Sequence, residues 1–298
     1  MEELTEDKRL KIKQIQTYIS KMPSLSTTVS KVLEICNSPT TSPGDLNKVI
    51  SLDPVLAGKV LKLINSAYYS LPDQVASLTR AIIMLGLNTV KNLALSTAIL
   101  ENLTKDALSG GLSMELFWTH SICVGVTARS IAAKLGVHVS LRDEYFLTGL
   151  LHDLGKIPLN NRFPEIYKKS LEFASIKQLP LYRTEEIVLG INHMEVSKMI
   201  AEKWQLGDSM KESLFFHHNP EGAKEENRNM VSIIALANAC ANKFETGSAG
   251  DGAPRDQTLL KFLNLVGVEW EAIEEIHTTV LDEIEKARVF LQLTSEKE

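Results

Sequence analysis

The sequence predicts an all-α protein built from two packed helical lobes, and three observations lead to that prediction. Apolar residues recur three and four positions apart through most of the chain, as in residues 29–36. Helix starts in which a polar cap precedes a proline occur at Ser42-Pro43 and at Asp53-Pro54. Alternating strand patterns are nearly absent, because the β-branched residues fall within helical periods.

The first lobe is predicted to consist of short helices that start at Pro43, Pro54 and Ser77, followed by a longer helix from about residue 88 to 103. The polar stretch 102–113 contains two adjacent glycines and predicts the lobe boundary. We therefore divide the chain into an N-terminal lobe (1–105), a second lobe (106–245) and a C-terminal loop with helices packed on the second lobe (246–298).

The second lobe and the C-terminal part are also predicted to be helical. A helix is expected to start at Ser113 and to close at Gly136. Further helices are predicted over about 141–154, 184–206, 208–217, 228–245 and 269–293. Between the last two, the segment Gly247–Pro254 (GSAGDGAP) predicts a flexible loop.

Composition excludes several classes of protein. A net charge of −5 gives no general attraction to a phosphate backbone, so nucleic acid is not an expected partner. No apolar window reaches the ~18 residues of a membrane span, and the charged N-terminus lacks a signal peptide. The three cysteines lie far apart, which indicates neither a disulfide framework nor a cysteine zinc site. We expect a cytoplasmic protein that does not bind membranes.

The histidines carry the strongest indication of chemistry. Within GLLHDLGK (149–156), His152 and Asp153 are adjacent at a helix end, about 100° apart on the helix, so both can reach one metal ion. Asp153 has two oxygens and could bridge two ions, and Lys156 could place a positive charge near a phosphate. A single histidine in a helix is more often a packing residue, however, and His-Asp pairs also occur as helix caps. His138 and His277 are interpreted as structural.

Several motifs taken together resemble a known family. WTHS (118–121), HDLGK (152–156), His193, the pair His217-His218 and a polar residue in ALANAC (235–240) resemble the HD superfamily of metal-dependent phosphohydrolases. In the first half, MPSLS, SLDPVLAGKVLKLINSAYYS and LTRAIIMLGLNTVKNL resemble the HDOD family, the HD-related output domain of bacterial signalling proteins. The resemblance covers about residues 15–245. It implies an N-terminal helical lobe packed on an HD-like helical lobe.

The resemblance also implies a ligand set. One ion would be held by His120, His152, Asp153 and Asn238, and a second by Asp153 with His193, His217 and His218. The family normally has aspartate where this chain has Asn238, which offers a carbonyl oxygen without charge. Asn238 could equally be a buried amide bonded to its neighbours. The ligand types favour one or two divalent transition metal ions such as iron, manganese, nickel or zinc.

The function implied is a regulatory output domain with a degenerate HD-type pocket, acting through protein or ligand binding. Another signalling protein is the expected partner, with a nucleotide or phosphorylated ligand as an alternative. The GYP segment of relatives that cleave cyclic dinucleotides is missing after His217-His218. A metal-dependent phosphohydrolase acting on a nucleotide remains open, with Lys156 and Asp153 as catalytic residues only in that case. A helical scaffold without an ion is the third alternative.

Overall fold

The computed structural model describes residues 6–36, 38, 40–104 and 111–295, and within these residues the chain is helical and contains no strand. The all-α prediction is therefore confirmed. The helices before the gap at 105–110 are α1 (Glu6–Lys21), α2 (Thr27–Cys36), α3 (Pro43–Ile50), α4 (Pro54–Ile64), α5 (Leu78–Leu85) and α6 (Leu87–Thr104).

The helices after the gap are α7 (Met114–Lys134), α8 (Val139–Leu151), α9 (Lys156–Arg162), α10 (Pro164–Lys177), α11 (Leu181–Leu189), α12 (His193–Lys203), α13 (Asp208–Phe216), α14 (Glu225–Lys243), α15 (Asp256–Val266), α16 (Trp270–Ala287) and α17 (Val289–Ser295). A short 3₁₀ turn, Pro220–Gly222, precedes α14.

The helix starts read from the sequence are present. Ser42, Asp53, Ser77 and Ser113 each accept a hydrogen bond from a backbone N–H in the first turn of the helix that follows. At Ser42 the cap is reciprocal, because Asp45 accepts from the Ser42 backbone N–H. Polar caps thus set where the helices begin.

One predicted helix is in fact two. The segment predicted as a single helix over 184–206 is interrupted at Gly190, which ends α11 with a positive φ of 80°. Asn192 then starts α12, because its side chain accepts from the Glu195 backbone N–H and Glu195 accepts from the Asn192 backbone N–H. His193 is consequently the first residue of a helix and not an interior one. The helix predicted over 269–293 likewise breaks at Arg288.

Two sets of helices meet along α6 and α8, and their buried apolar residues form one continuous core. Helices α2 to α6 pack on one another, whereas α7 packs on α8 and α14. Helix α15 packs on α14 and α16 on α7, while α17 packs on α6 and α4. The first helix, α1, packs on α9, α11 and α12. The division at residues 105 and 245 stays a prediction, and residues 105–110 lie outside the described part.

Among the described residues, no single helix is both long and apolar enough to cross a bilayer. The helices Leu78–Leu85 and Leu87–Leu100 reach that length and apolarity only together, and they meet at a bend of 118°.

Candidate metal centre

Six side chains from four separate segments converge on one buried centre, and they form two groups that share Asp153. In the first, called the His120 group, the ligand atoms of His120, His152 and Asp153 lie within 4.8 Å of one another. In the second, called the His217 group, those of Asp153, His193, His217 and His218 do so. His120 lies within α7, His152 and Asp153 follow α8, His193 starts α12, and His217-His218 follow α13.

Hydrogen bonds at Nδ1 orient three of the imidazoles. The Nδ1 of His152 donates to the carbonyl oxygen of Gly149 at 2.8 Å, and the Nδ1 of His217 donates to that of Leu214 at 3.1 Å. A carbonyl oxygen can only accept, so the proton lies on Nδ1 and the lone pair lies on Nε2. The Nδ1 of His193 is held in the same way by the carboxylate of Glu185 at 2.7 Å. This is the arrangement by which proteins prepare histidines as metal ligands.

Glu185 is a site residue that sequence reasoning missed. Its carboxylate is fully buried and accepts from Nδ1 and from the backbone N–H of His193, and also from the hydroxyl of Tyr167 at 2.7 Å. A buried carboxylate needs such partners to offset its desolvation. In the sequence Glu185 stands beside Glu186 in a helical run, and only the capping pattern at Asn192 could have shown that α11 turns back toward His193.

The His217 group has the spacing that a metal ion requires. The Oδ1 of Asp153 lies 3.3 Å from the Nε2 of His193 and 3.6 Å from the Nε2 of His217, and these two nitrogens are 3.4 Å apart. Two ligand atoms about 2.1 Å from a tetrahedral ion are about 3.4 Å apart. The Nε2 of His218 is buried and has no hydrogen-bond partner among the residues that the structure describes. These residues therefore fit a transition metal ion.

The His120 group is less regular. The Oδ2 of Asp153 lies 3.1 Å from the Nε2 of His152 but 4.0 Å from that of His120. His120 instead donates through Nε2 to the Oδ1 of Asn238 at 3.1 Å, and the same oxygen accepts from Asn242. The carbonyl of Asn238 thus faces the pocket, where the family resemblance implies a ligand. Ligation by Asn238 stays a prediction.

Lys156 points inward. Its side chain is fully buried, and its Nζ lies 2.8 Å from the Oδ2 of Asp153 and 2.7 Å from the Oδ2 of Asp251. It also donates to the carbonyl oxygen of Ala249 at 3.0 Å. The predicted contact of Lys156 with a phosphate would require the lysine to leave these partners.

Asp251 comes from the segment that was predicted to be a flexible loop. The segment is indeed non-helical, but it is packed into the site: Ala249 is fully buried, and Ser248 donates its backbone N–H to the carbonyl oxygen of Leu116 at 2.9 Å. Gly247 has a φ of +71°, and a Cβ there would lie 2.3 Å from the backbone nitrogen of His120. A glycine-rich composition here permits close packing against α7, which sequence alone does not distinguish from flexibility.

Gly155 permits the close approach of α12 to the HDLGK turn. A Cβ on Gly155 would lie 2.1 Å from the carbonyl oxygen of His193, and its backbone N–H donates to the Oγ of Ser197 at 2.9 Å. The absence of a side chain at Gly155 therefore lets His193 come within reach of Asp153.

The charges of the pocket suit metal ligation. Burial lowers the pKa of His120 to about 3, with a further contribution from His152, and burial lowers the pKa of His217 to about 4. Burial alone would raise the pKa of Asp153, but the neighbouring His152 and Lys156 outweigh it and the pKa is well below its usual value. At neutral pH, His120 and His217 are thus uncharged and Asp153 is ionised, the states in which they bind metals.

The sequence model of the HDOD domain matches residues 2–220, which is most of the chain. The chain belongs to the HDOD domain family. Solved structures share this fold. An HDOD domain protein with unknown function from Geobacter sulfurreducens aligns at 22% identity with a TM-score of 0.75, over 94% of this chain and 97% of the other.

Two further structures resemble this HDOD protein. A candidate phosphohydrolase from Shewanella amazonensis aligns at 21% identity and a TM-score of 0.69, over 93% of this chain and 97% of the other. A candidate signal transduction protein from Marinobacter aquaeolei aligns at 20% identity and a TM-score of 0.74, over 98% of this chain and 67% of the other. At these identities the likeness shows the fold alone.

An uncharacterized protein of Treponema pallidum is 26% identical over 250 residues, which are 83% of this chain and 47% of the relative. The HDOD chain thus spans about half the length of that relative. Together with the His/Asp groups, the comparisons describe a helical HDOD protein with a buried centre that could bind a metal.

Proposed function

We propose that this chain is a regulatory output domain whose buried HD-type pocket holds a divalent transition metal ion and whose output is contact with another signalling protein. A nucleotide or a phosphorylated ligand is the alternative input. The observation that carries the proposal is the engagement of Lys156, whose ammonium is fully buried between Asp153, Asp251 and the carbonyl of Ala249. Iron, manganese, nickel and zinc all suit the imidazole-rich ligand set.

The closed pocket supports a regulatory role over a hydrolytic one. The side chains of His152, Asp153 and His193 are fully buried, and those of His120 and His217 are 1% exposed. A phosphoester needs an open position beside the ion, together with positive groups that are free to contact its oxygens. Lys156 is not free, and Asn238 offers no charge where the family has a carboxylate.

A metal-dependent phosphohydrolase is the second candidate. It is favoured by the arrangement of Asp153, whose two oxygens face the His120 group and the His217 group respectively. A carboxylate that bridges two ions is what hydrolysis by a two-metal centre requires. The bound metal would supply Lewis acidity there, while Asp153 would hold it and Lys156 would need to turn toward the substrate.

Turnover on a panel of phosphoesters separates the two functions. Protein loaded with manganese or iron is assayed with cyclic dinucleotides, nucleotides and an activated aryl phosphodiester, beside the variant Asp153→Ala. We expect no turnover of the natural substrates and at most slow hydrolysis of the aryl ester. The regulatory proposal would be wrong, and the hydrolase would take its place, if a natural phosphoester is turned over at ~1 s⁻¹ or faster and Asp153→Ala abolishes this activity.

The variant Asn238→Asp tests whether the missing charge silences hydrolysis. A carboxylate restores one negative charge beside His120, where the resemblance implies a ligand. If Asn238→Asp alone creates phosphodiesterase activity, residue 238 is the cause of silence. If it remains inactive while it still binds metal, the closed pocket and the engaged Lys156 are sufficient to prevent hydrolysis.

A further inference from the structure

We propose that the His217 group holds a single metal ion and that the ammonium of Lys156, fixed by Asp251, takes the place of a second ion beside Asp153. The inference rests on the proposed metal pocket and states its stoichiometry. It assigns Asp251 as a positioning residue that keeps a built-in cation on one of the two oxygens of the shared carboxylate.

The two oxygens of Asp153 have different surroundings. Oδ1 faces the Nε2 atoms of His193 and His217, whose Nδ1 atoms are both tied to oxygen acceptors. This half of the pocket has the ligand spacing of an ion, and the ion pair of Lys156 is formed with the other oxygen, Oδ2. The His217 group is therefore preorganised for one ion.

Oδ2 of Asp153 faces a cation that the chain itself supplies. The Nζ of Lys156 lies 2.8 Å from this oxygen, which the His120 group would need as its carboxylate ligand. The Nε2 of His120, which would be another ligand of this group, already donates a hydrogen bond to Asn238. A metal ion entering the His120 group would have to displace an ammonium ion and break that hydrogen bond.

Asp251 and Ala249 hold the ammonium in this position. The Oδ2 of Asp251 lies 2.7 Å from Nζ, while its Oδ1 accepts from the backbone N–H of Leu181, so the carboxylate is fixed at both ends. The Asp251 side chain is only 9% exposed. Because Lys156 and Asp251 are of opposite charge, the pair adds a local cation beside Asp153 without adding net charge to the pocket.

The test removes this cation while the net charge stays constant. Metal-free wild type and the double variant K156M/D251N are dialysed against Mn²⁺, and the bound ions per chain are counted by elemental analysis. Electron paramagnetic resonance reports whether two bound ions are coupled. The double variant K134M/E275Q is the matched control, because it removes an exposed Lys–Glu pair at 2.6 Å.

We expect one ion per chain in the wild type and in the control. In K156M/D251N we expect two ions with a coupled signal, because the affinity for the second ion rises ~10-fold or more when the ammonium is gone. Circular dichroism and the retained first ion show that the variant is folded.

Three results would contradict the inference in distinguishable ways. Two ions in the wild type, or one ion in a folded K156M/D251N variant, would refute the role of Lys156 and leave the metal pocket intact. No ion in any of the three proteins would refute the pocket and with it the proposed function. If K156M/D251N fails to fold, the single variant Asp251→Asn takes its place. Because Asp251 fixes the loop, the amide hydrogens of residues 247–255 should then exchange faster than in the wild type. Unchanged exchange would refute the positioning role of Asp251.

Discussion

The carboxylate of Glu185 contacts His193 twice: Oε2 lies 2.7 Å from the imidazole Nδ1 and 2.8 Å from the backbone nitrogen of the same residue. The side chain that orients the ligand thereby also satisfies a free N–H of the first turn of α12. Ring orientation and helix start are thus fixed by one residue.

Glu185→Gln should weaken metal binding while the fold is retained. The amide can still accept one hydrogen bond, but it no longer presents a charged acceptor to Nδ1, so the Nε2 lone pair becomes a weaker ligand. We expect the affinity for Zn²⁺ or Mn²⁺ to fall ~10–100-fold in a chelator competition assay. Glu172→Gln, at an exposed position of α10, is the control and should leave the affinity unchanged. Equal affinities of the two variants would contradict the orienting role.

Gly155→Ala should destabilise the protein and disturb the pocket together. The new methyl group would lie 2.1 Å from the carbonyl oxygen of His193, so α12 must shift away from the HDLGK turn. We expect a loss of about 1–3 kcal/mol of unfolding free energy by urea titration, and a weaker metal affinity. Gly207→Ala is the matched control, because nothing lies within 4 Å of a Cβ there. If Gly207→Ala lowers the free energy of unfolding by the same amount, the close contact between Gly155 and His193 is not the cause of the destabilisation.

The metal-free protein should lose stability as the pH falls from 7 to 5. Burial lowers the pKa of His217 to about 4, whereas an unfolded histidine titrates near 6.5. Between these values the unfolded chain binds a proton that the folded chain does not, so stability is full above pH 6.5 and declines toward pH 4. Carboxylates of lowered pKa such as Asp251 add to this loss of stability only when the pH falls below about 4, where an unfolded carboxylate begins to bind its proton.

His217→Gln removes one of these histidines from the balance. The loss of unfolding free energy between pH 7 and pH 5 should be smaller in this variant by about 2 kcal/mol. Urea titrations of the metal-stripped proteins at both pH values measure the difference. The same pH dependence in both proteins would show that the His217 imidazole is protonated in the folded state as readily as in the unfolded one.

His217→Ala and His120→Ala should differ in metal content. If the wild type carries its ion in the His217 group, His217→Ala should lower the affinity by ~100-fold or more, while His120→Ala should change it far less. Titration with Co²⁺, followed by its visible absorption, measures both affinity and ligand change. The reverse order would place the ion in the His120 group.

The sequence predicts most helices because each is a local event. Caps such as Ser113 and periodic apolar residues lie within a few positions of the helix that they specify. The break at Gly190 is local too, and both Gly190 and the Asn192–Glu195 capping box mark it in the sequence, so the single helix predicted over 184–206 could have been divided there. The histidines could be grouped only through the family resemblance, since nothing local relates His120 to His217.

Glu185 and Asp251 could not be found in this way. Each is an ordinary acidic residue in its own segment, and each acquires its role only when the fold brings it beside His193 or Lys156. Asp251 in particular lies among small residues that are equally typical of a mobile loop. Burial of a charge with its partner is a tertiary property, which short-range patterns do not contain.

The packing of α1 places the first helix against the helices that carry the candidate metal site. Helix α1 lies on α9, α11 and α12, which carry Lys156, Glu185 and His193. The Lys203 ammonium, at the end of α12, also donates to the carbonyl oxygens of Ile19 and Ser20 at the end of α1. If detaching α1 loosens these three helices, then a partner that binds α1 in its detached form must lower the affinity for the ion, and ion binding must weaken that partner by the same factor. A metal ion held at this buried centre would then influence which proteins the first helix can bind.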